Sequence, residues 1–446
     1  MKFHGIQMKL RILLENLKKN KYFLTWGFFG RDKYSNFGDQ VMPIRIGLIG
    51  KTNTGKTTFF NAATLSHSEI STYPFTTKKP EKAMGNAITP CVHTEFNVQD
   101  QPQNSKCLDG WRFIPVELID LPGLIKDAWA GKGLGNQFLS VATQSDALLH
   151  VVDVSGSVDA SGKITDVGNG DPIADVADIE EELIMWYLKL LEGNRDKISK
   201  LIHSDTEPLT ALSDIFRGIG VKESHVKETL KVTGLENKDF DNFDMHDSKK
   251  FSARLRHISK PTLIVANKID LPGADKNFDR LREKYVDTII IPASADSELS
   301  LRRAEQKGLI KYVPGSEQFE ILHKNELNEK QLEALEFITQ GILGEYMRTG
   351  VQFAINVTVF KLLKMNSIYP VANPEKLSDK KGRILPDLIL MKDGSTVEDL
   401  AKEIHSDLTK GLLYAKDVRY GVRLPTGYQL RDRDVVSLVS AMTKKS

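Results

Sequence analysis

Cysteine is scarce. The 446-residue chain carries only Cys91 and Cys107, which excludes a disulfide scaffold. Cys91-Val92-His93 together with Cys107 offers three zinc-type ligands. A fourth is not apparent in the sequence, and two thiols in a core or loop are the simpler reading. No apolar run approaches the ~20 residues of a membrane-spanning helix, so no membrane association is expected. Net charge is also lacking. The 61 basic and 59 acidic residues leave +2, and so weak a field gives no overall pull toward nucleic acid. DNA is therefore not expected as a partner, and any RNA contact must come from local patches. An apolar content of 40% suffices for real cores, and this length suggests two or three domains. A cytoplasmic monomer is the expectation.

Four short segments stand out in a fixed order. The first, Gly50-Lys51-Thr52-Asn53-Thr54-Gly55-Lys56-Thr57, fits the phosphate-cradling pattern G-x-x-x-x-G-K-[ST]. It follows the strand-like run Ile44–Ile49 and precedes a helix beginning around Thr58. Gly50 and Gly55 allow the backbone to turn tightly. Amides of the loop, including those of Asn53, Thr54 and Thr58, would face the anion at a helix N-terminus. Lys56 would reach the β/γ-phosphates, and the Thr57 hydroxyl would ligate Mg²⁺.

The second segment, Asp120-Leu121-Pro122-Gly123, closes the apolar run Ile114–Ile119. A carboxylate at the C-terminal end of a strand sits where open α/β sheets bind ligands. Asp120 would hold Mg²⁺ through water, and the Gly123 amide would sense the γ-phosphate. The third, Asn267-Lys268-Ile269-Asp270, follows Leu263–Ala266 and decides the base. The Asp270 carboxylate can accept from guanine N1–H and the 2-amino group together, whereas adenine would leave it unpaired. Sites of this type discriminate by roughly 10⁴–10⁵. The Lys268 stem would pack along the base. The fourth, Ser294-Ala295 after Ile289–Ile291, would offer a backbone N–H to guanine O6. The ligands implied are GTP and GDP.

These residues carry a family resemblance from Met42 to the C-terminus. The chain resembles the Obg/YchF group of translation-factor-class GTPases. Tyr73-Pro74-Phe75-Thr76-Thr77 is similar to the first switch of that group, which makes Thr77 a second Mg²⁺ ligand and, with Lys56 and Gly123, a catalytic candidate. Asp120-Leu121-Pro122-Gly123-Leu124 and Gly131-Lys132-Gly133-Leu134-Gly135-Asn136-Gln137-Phe138-Leu139 resemble its second switch. Asn136 points to the YchF side. The YchF proteins that prefer ATP lack the third-segment Asp, so Asp270 suggests the archaeal/eukaryotic branch that retains guanine. Leu124 stands where many GTPases place a water-orienting Gln. In related GTPases an Asn at the position of Asn53 helps bind K⁺. Here that role and a purely loop-stabilising one remain alternatives.

The implied fold is α/β. It comprises a P-loop nucleotide domain with a mostly parallel sheet, an inserted helical subdomain and a C-terminal β-grasp TGS domain. The expected boundaries are an extension over 1–41, the first part of the nucleotide domain over 42–156, a helical insertion over 157–260, the second part with connecting helices over 261–358, and TGS over 359–446. Residues 1–41 match nothing in the family, and an over-extended gene start or a basic tail would account for them. In the insertion, Ile179, Leu183, Trp186, Tyr187, Leu190 and Leu191 recur at helical spacing, and this stripe reads as core. Helices are expected from about Ser300 and over Glu329–Met347.

The TGS resemblance rests on Tyr369-Pro370-Val371, Leu385-Pro386-Asp387, Gly394-Ser395-Thr396-Val397 and Asp432-Arg433-Asp434-Val435-Val436. Within it Ser395 and Glu398 fit a capping box. Val397, Leu400, Ala401, Ile404 and Leu408 then form one apolar helical face. The resemblance implies contact with RNA or the ribosome, for which Lys380, Lys381, Arg383, Lys402, Lys410 and Arg419 are phosphate-binding candidates. A slow GTPase switch is the leading reading. An ATPase regulator of the YchF kind and a P-loop phosphotransferase are the alternatives, and the second of these lacks a visible acceptor site.

Overall fold

The apolar runs that precede the four segments are strands with both faces buried, the pattern of a parallel sheet covered on each side. In the computed structural model, which describes residues 43–66, 80–123, 129 and 144–441, β1 spans Arg45–Ile49, β2 Glu81–Pro90, β3 Lys106–Leu108, β4 Trp111–Asp120, β5 Ala147–Asp153, β6 Thr262–Asn267 and β7 Ile290–Ala293. The chain divides into two compact units. One comprises Arg45–Met84 and Glu117–Ala354, and the other Gly85–Val116 and Ile355–Ser446.

The first unit carries the parallel order β4-β1-β5-β6-β7. Ile46, Leu48, Leu149, Val151 and Val265 are fully buried along these strands. Helix α1 (Lys56–Thr64) leaves the loop after β1. The insertion between β5 and β6 is helical, with α3 Pro172–Gly193, α4 Arg195–His203, α5 Pro208–Arg217, α6 Glu223–Thr233 and α7 Met245–Ser259; α2 is the single turn His93–Phe96. The aromatic stripe of α3 is core, as its spacing suggests. Tyr187 stacks on Phe216 at 6.0 Å between ring centres, and Phe216 packs near Phe251. Asp171 caps α3 by accepting from Ile173 N, with Pro172 opening the helix, where its missing N–H costs nothing.

After β6 come α8 (Ala274–Lys284), β7, α9 (Ala295–Gln306), the short pair β8 (Ile310–Lys311) and β9 (Glu320–Ile321), α10 (Glu329–Phe337) and α11 (Val351–Val357). Two expectations change. Helix α9 starts at Ala295 rather than near Ser300, because the Ser294 side chain caps it by accepting from Ser297 N. The helix expected over Glu329–Met347 is broken, since Ile338–Leu343 widens into a π-helical turn. Gly341 and Gly344, poor α-helix formers, sit in and just after that stretch.

In the second unit, Leu108 faces Trp111 across a two-residue hairpin. Asp109 and Gly110 both take positive φ (48° and 83°), as the tight hairpin turn requires. A five-stranded sheet follows with order β11-β10-β14-β12-β13, from β10 (Met365–Pro370), β11 (Ile389–Lys392), β12 (Leu412–Asp417), β13 (Arg423–Leu424) and β14 (Val435–Ser440). Strands β10 and β14 are parallel, and α12 (Val397–Ile404) packs Val397, Leu400 and Ala401 on the sheet core. This is the expected β-grasp arrangement, and its first strand begins at Met365. The capping box is formed by Thr396 and Asp399 rather than by Ser395 and Glu398. The helix stops at Ile404, where the His405 side chain caps a separate turn, so Leu408 does not continue its face.

Gly85–Val116 groups with the C-terminal sheet, whereas the expected boundaries run it with the nucleotide domain. Gln101 N donates to Ile384 O and Gln103 N to Pro386 O. The Asn104 side chain donates to Leu388 O and accepts from Leu388 N. Such pairings join residues nearly 300 positions apart, and local patterning does not announce them.

Phe216 is fully buried. The Phe216→Ala change is expected to lower stability by about 3–5 kcal/mol through lost burial and a residual cavity. Thermal or urea unfolding followed by circular dichroism checks this, and a loss below about 1 kcal/mol would show that the helical core repacks.

Candidate nucleotide site

The turn after β1 is built around two glycines. Gly50 has φ 144° and Gly55 φ 95°. A Cβ on Gly50 would lie 2.3 Å from Val151 O, and one on Gly55 2.2 Å from Asn267 Nδ2. Only glycine fits either place. Lys56 folds back over the loop, its Nζ donating to Gly50 O at 3.1 Å and Lys51 O at 2.6 Å. Burial lowers its pKa to about 8, opposed by the Asp120 carboxylate. Thr54 braces the turn by donating to Lys51 O. Thr58 is buried in the first turn of α1. Asn53, at φ 62°, donates its side-chain amide to Gly162 O at 2.9 Å, so its nitrogen serves the loop and only its oxygen is left to offer a cation.

The Mg²⁺ expectation can be tested on the side chains present. Thr57 Oγ1 donates to Asp120 Oδ2 at 2.7 Å. Asp120 Oδ1 is buried with no hydrogen-bond partner. Burial pushes the carboxyl up to about 6, against the Thr57 hydrogen bond and the Lys56 charge, with Glu81 adding to the rise. A hydroxyl and a half-satisfied buried carboxylate at the mouth of a phosphate loop fit a hard divalent cation. Gly123 lies against the loop, where a Cβ would come within 2.8 Å of Thr52 N. Thr77, Leu124 and Gly131–Leu139 lie outside the described residues.

At the end of β6 the Asn267 carboxamide works in both directions. Its Nδ2 donates to Thr54 O at 2.8 Å, and its Oδ1 accepts from Ala295 N at 3.1 Å. This side chain, 2% exposed, therefore ties the first, third and fourth segments together. Lys268, at φ 63°, sends Nζ to Asp153 Oδ2 (2.8 Å) and Ser157 Oγ (3.0 Å). Asp270 is half-buried. Desolvation raises its pKa to about 6, Asp296 adds to that, and the Ser294 hydroxyl and the charge of Lys268 oppose it. The first, third and fourth segments and Asp120–Gly123 thus converge on one end of the sheet.

Three features escaped the sequence reading. Asp153 ends β5 as Asp120 ends β4, and it anchors Lys268 together with the Ser155 and Ser157 hydroxyls. A strand-terminal Asp was the available signal. Lys51 is clamped between Asp175 and Asp178, 2.7 Å from each. Burial pulls Lys51 down, but the two carboxylates outweigh it and hold its pKa above the ordinary value. Trp129 N donates to the buried Glu182 of α3. The Lys51 and Trp129 contacts span more than fifty positions and have no local signature.

Removing the Asn267 carboxamide would leave Thr54 O and Ala295 N without their buried partner, at roughly 1–3 kcal/mol for each group. Asn267→Ala is expected to weaken GDP binding by about 30-fold or more at that scale. Titration with a fluorescent GDP analogue measures it. An unchanged Kd would show that the segments hold their places without this strut.

A family model described as Obg-like GTPase YGR210-like, G4 motif-containing domain matches residues 265–373. Models for a 50S ribosome-binding GTPase and a TGS domain match residues 45–185 and 378–440. A GTP-binding protein of Methanocaldococcus jannaschii is 41% identical over 400 residues, spanning 89% of this chain and 99% of that one. The solved structure of a GTP binding protein from Pyrococcus horikoshii OT3 superposes with a TM-score of 0.72 at 33% identity, covering 89% and 100% of the two chains. A ribosome-binding ATPase YchF of Buchnera aphidicola is 28% identical over 393 residues, covering 85% and 89%.

Proposed function

The chain belongs to the Obg-like/YchF family of P-loop GTP-binding proteins, and on that footing we propose that it is a guanine-selective GTPase switch whose nucleotide state sets its hold on a ribosomal or RNA partner. The observation that carries the base assignment is Asp270, a carboxylate beside Ser294 at the end of the sheet. Guanine offers it two donors, and adenine offers neither. Relatives named as ATPases make adenine the competing reading, and nucleotide competition separates the two.

Lys56 would exchange its two loop carbonyls for phosphate oxygens as the triphosphate enters. Thr57 and Asp120 would hold Mg²⁺, joined by Thr77, and the metal neutralises charge on the β/γ oxygens. The Gly123 amide would follow the γ-phosphate. Leu124 has no polar group with which to orient the attacking water, so hydrolysis would be slow. A potassium ion on the Asn53 oxygen would supply positive charge in place of an arginine finger.

The TGS domain is the proposed RNA-facing part of a cytoplasmic monomer. Ion pairs narrow its six candidate cations. Arg383 pairs with Asp379, Lys402 with Glu398, Lys410 with Asp407 and Arg419 with Glu95. The exposed Lys380 and Lys381 are the first choice for phosphate. Exposed pairs contribute little, so the others remain exchangeable for phosphate. Among the described residues no helix is long and apolar enough to cross a membrane.

Excess ATP should fail to displace labelled GTP from the wild type, and Asp270→Asn should weaken guanine binding and relax that selectivity. Displacement by ATP at comparable concentration would remove the guanine assignment. The pH dependence follows from the same carboxyl. Guanine binds the ionised form and so lowers the pKa of Asp270 below its free value of about 6. GDP affinity, measured without Mg²⁺, should be full above that pH and fall by up to about tenfold per unit below it. Asp270→Asn should lose this slope, and any slope it keeps belongs to other groups.

Intrinsic turnover should be on the order of 10⁻⁴–10⁻² s⁻¹, in the range of GTPases without an arginine finger in trans. Phosphate release in K⁺ against Na⁺ tests the ion. Equal rates, with Asn53→Ala also unchanged, would leave Asn53 as a loop residue alone.

A further inference from the structure

Away from the nucleotide site, the second unit brings together four side chains of metal-ligating type. One ligand atom each from Cys91, His93, Asp100 and Cys107 lies within 4.8 Å of all the others. Asp100 is the fourth ligand that the sequence alone did not reveal. Cys91 Sγ stands 3.3 Å from Asp100 Oδ2, Cys107 Sγ 3.4 Å from His93 Nδ1, and His93 Nδ1 3.4 Å from Asp100 Oδ2. A tetrahedral zinc with bonds of about 2.0–2.3 Å to nitrogen, oxygen and sulfur has ligand-to-ligand edges of roughly 3.3–3.8 Å. Three of the six edges are already close to that range, and the other three lie within 4.8 Å.

The backbone holds the four in place. Cys91 follows β2 and its N–H donates to Gly110 O at 2.8 Å, which fixes it to the β3–β4 turn. His93 opens the single turn α2. Cys107 lies in β3 opposite Arg112 of β4. Cys91 and Asp100 are buried, while His93 and Cys107 are half-buried and leave a route from solvent.

We propose that Cys91, His93, Asp100 and Cys107 form a structural zinc site through Sγ, Nδ1, Oδ2 and Sγ. Binding would convert two thiols to thiolates and release two protons to solvent, with the imidazole neutral and the carboxylate already ionised. Two thiolates and a carboxylate carry three negative charges. A divalent cation and the guanidinium of Arg112 balance them. Arg112 is fully buried and donates from Nη1 to Asp100 Oδ2 at 2.7 Å, the outer-sphere contact that orients a ligating carboxylate. The buried Tyr369 hydroxyl adjoins Cys91 and could donate to its thiolate.

The site would act on the fold rather than on catalysis. Arg112 Nη2 also donates to Leu385 O at 2.9 Å and Pro386 O at 3.1 Å. Fixing Asp100 therefore fixes the guanidinium that clamps Gly85–Val116 to the loop before β11. Magnesium is a poor candidate because thiolates select softer ions.

The test uses the full chain, purified without chelators under reducing conditions and dialysed against metal-free buffer. Elemental analysis should find one zinc per chain. Cys107→Ser and His93→Ala should bind zinc about 100-fold more weakly or not at all, with GDP binding unchanged. Two wild-type measurements decide the matter even where those variants fail to fold. Cys107 should resist alkylation until a strong chelator is added, and chelation should lower the melting temperature. The proposal is overturned if wild type takes up no zinc on titration, if Cys107→Ser keeps it with wild-type affinity, or if Cys91 and Cys107 are joined as a disulfide in the reduced preparation.

Discussion

One buried carboxamide holds the nucleotide end of the sheet together. Asn267 donates to Thr54 O and accepts from Ala295 N, while its own backbone oxygen accepts from Val154 N. The phosphate loop, the base-reading segments and the end of β5 thus meet on a single residue. The contact is tight enough that Gly55 must lack a side chain beside it. A site assembled from loops on four different strands needs such a brace, because each loop alone is ordered only by its own turn. The carboxamide suits the task, being neutral with donor and acceptor in one plane. An ionised side chain here would add to the charge already crowded at this edge.

That charge is the second constraint. Asp120 and Asp270 are both raised to about 6, and Lys56 is lowered to about 8. All three shifts begin with desolvation, so the ligand-free site holds charged groups short of partners. The sign for stability follows. A carboxyl whose folded pKa lies above its unfolded value stabilises the fold at low pH, and that contribution is lost as pH rises through about 6. At neutral pH the free site is therefore a local weakness. In the proposed reading, phosphate, magnesium and guanine would supply the missing partners, and whatever binds the native state alone stabilises it. In the proposed switch, the difference between free and loaded states would be concentrated at this edge of the sheet.

Charge on the second unit is organised differently. Three of its cations face carboxylates within their own helix or loop, Lys402 with Glu398, Lys410 with Asp407 and Arg383 with Asp379. Such pairs are worth a few tenths of a kcal/mol and weaken with salt. A polyanion can therefore compete for them at little cost. Arg112 is the opposite case. It is buried, and its Nη2 donates to both Leu385 O and Pro386 O, so it organises the fold and is closed to outside partners.

The legible parts of this chain were those written in local spacing. The phosphate loop, Asp120-x-x-Gly123, Asn267-Lys268-x-Asp270 and the apolar strands before them are short-range patterns, and the structure brings their described residues to one place. The illegible parts were set by pairings across long separations. Asp100 carries no local mark of a metal ligand, and it becomes a candidate only because the turn at Asp109-Gly110 folds β3 beside β4 and Arg112 aims at it. Lys51 reads as a variable loop position until α3 delivers Asp175 and Asp178. The start of α9 was misplaced by five residues because Ser294 read as a base contact, while its hydroxyl also caps the helix. One residue serving two purposes is what spacing alone cannot reveal. Asn267 is the clearest instance, since the motif that marks it as nucleotide-binding is silent about its grip on Thr54 and Ala295. Motifs of this kind record which residues the chemistry requires. The contacts that hold those residues in place come from the rest of the fold.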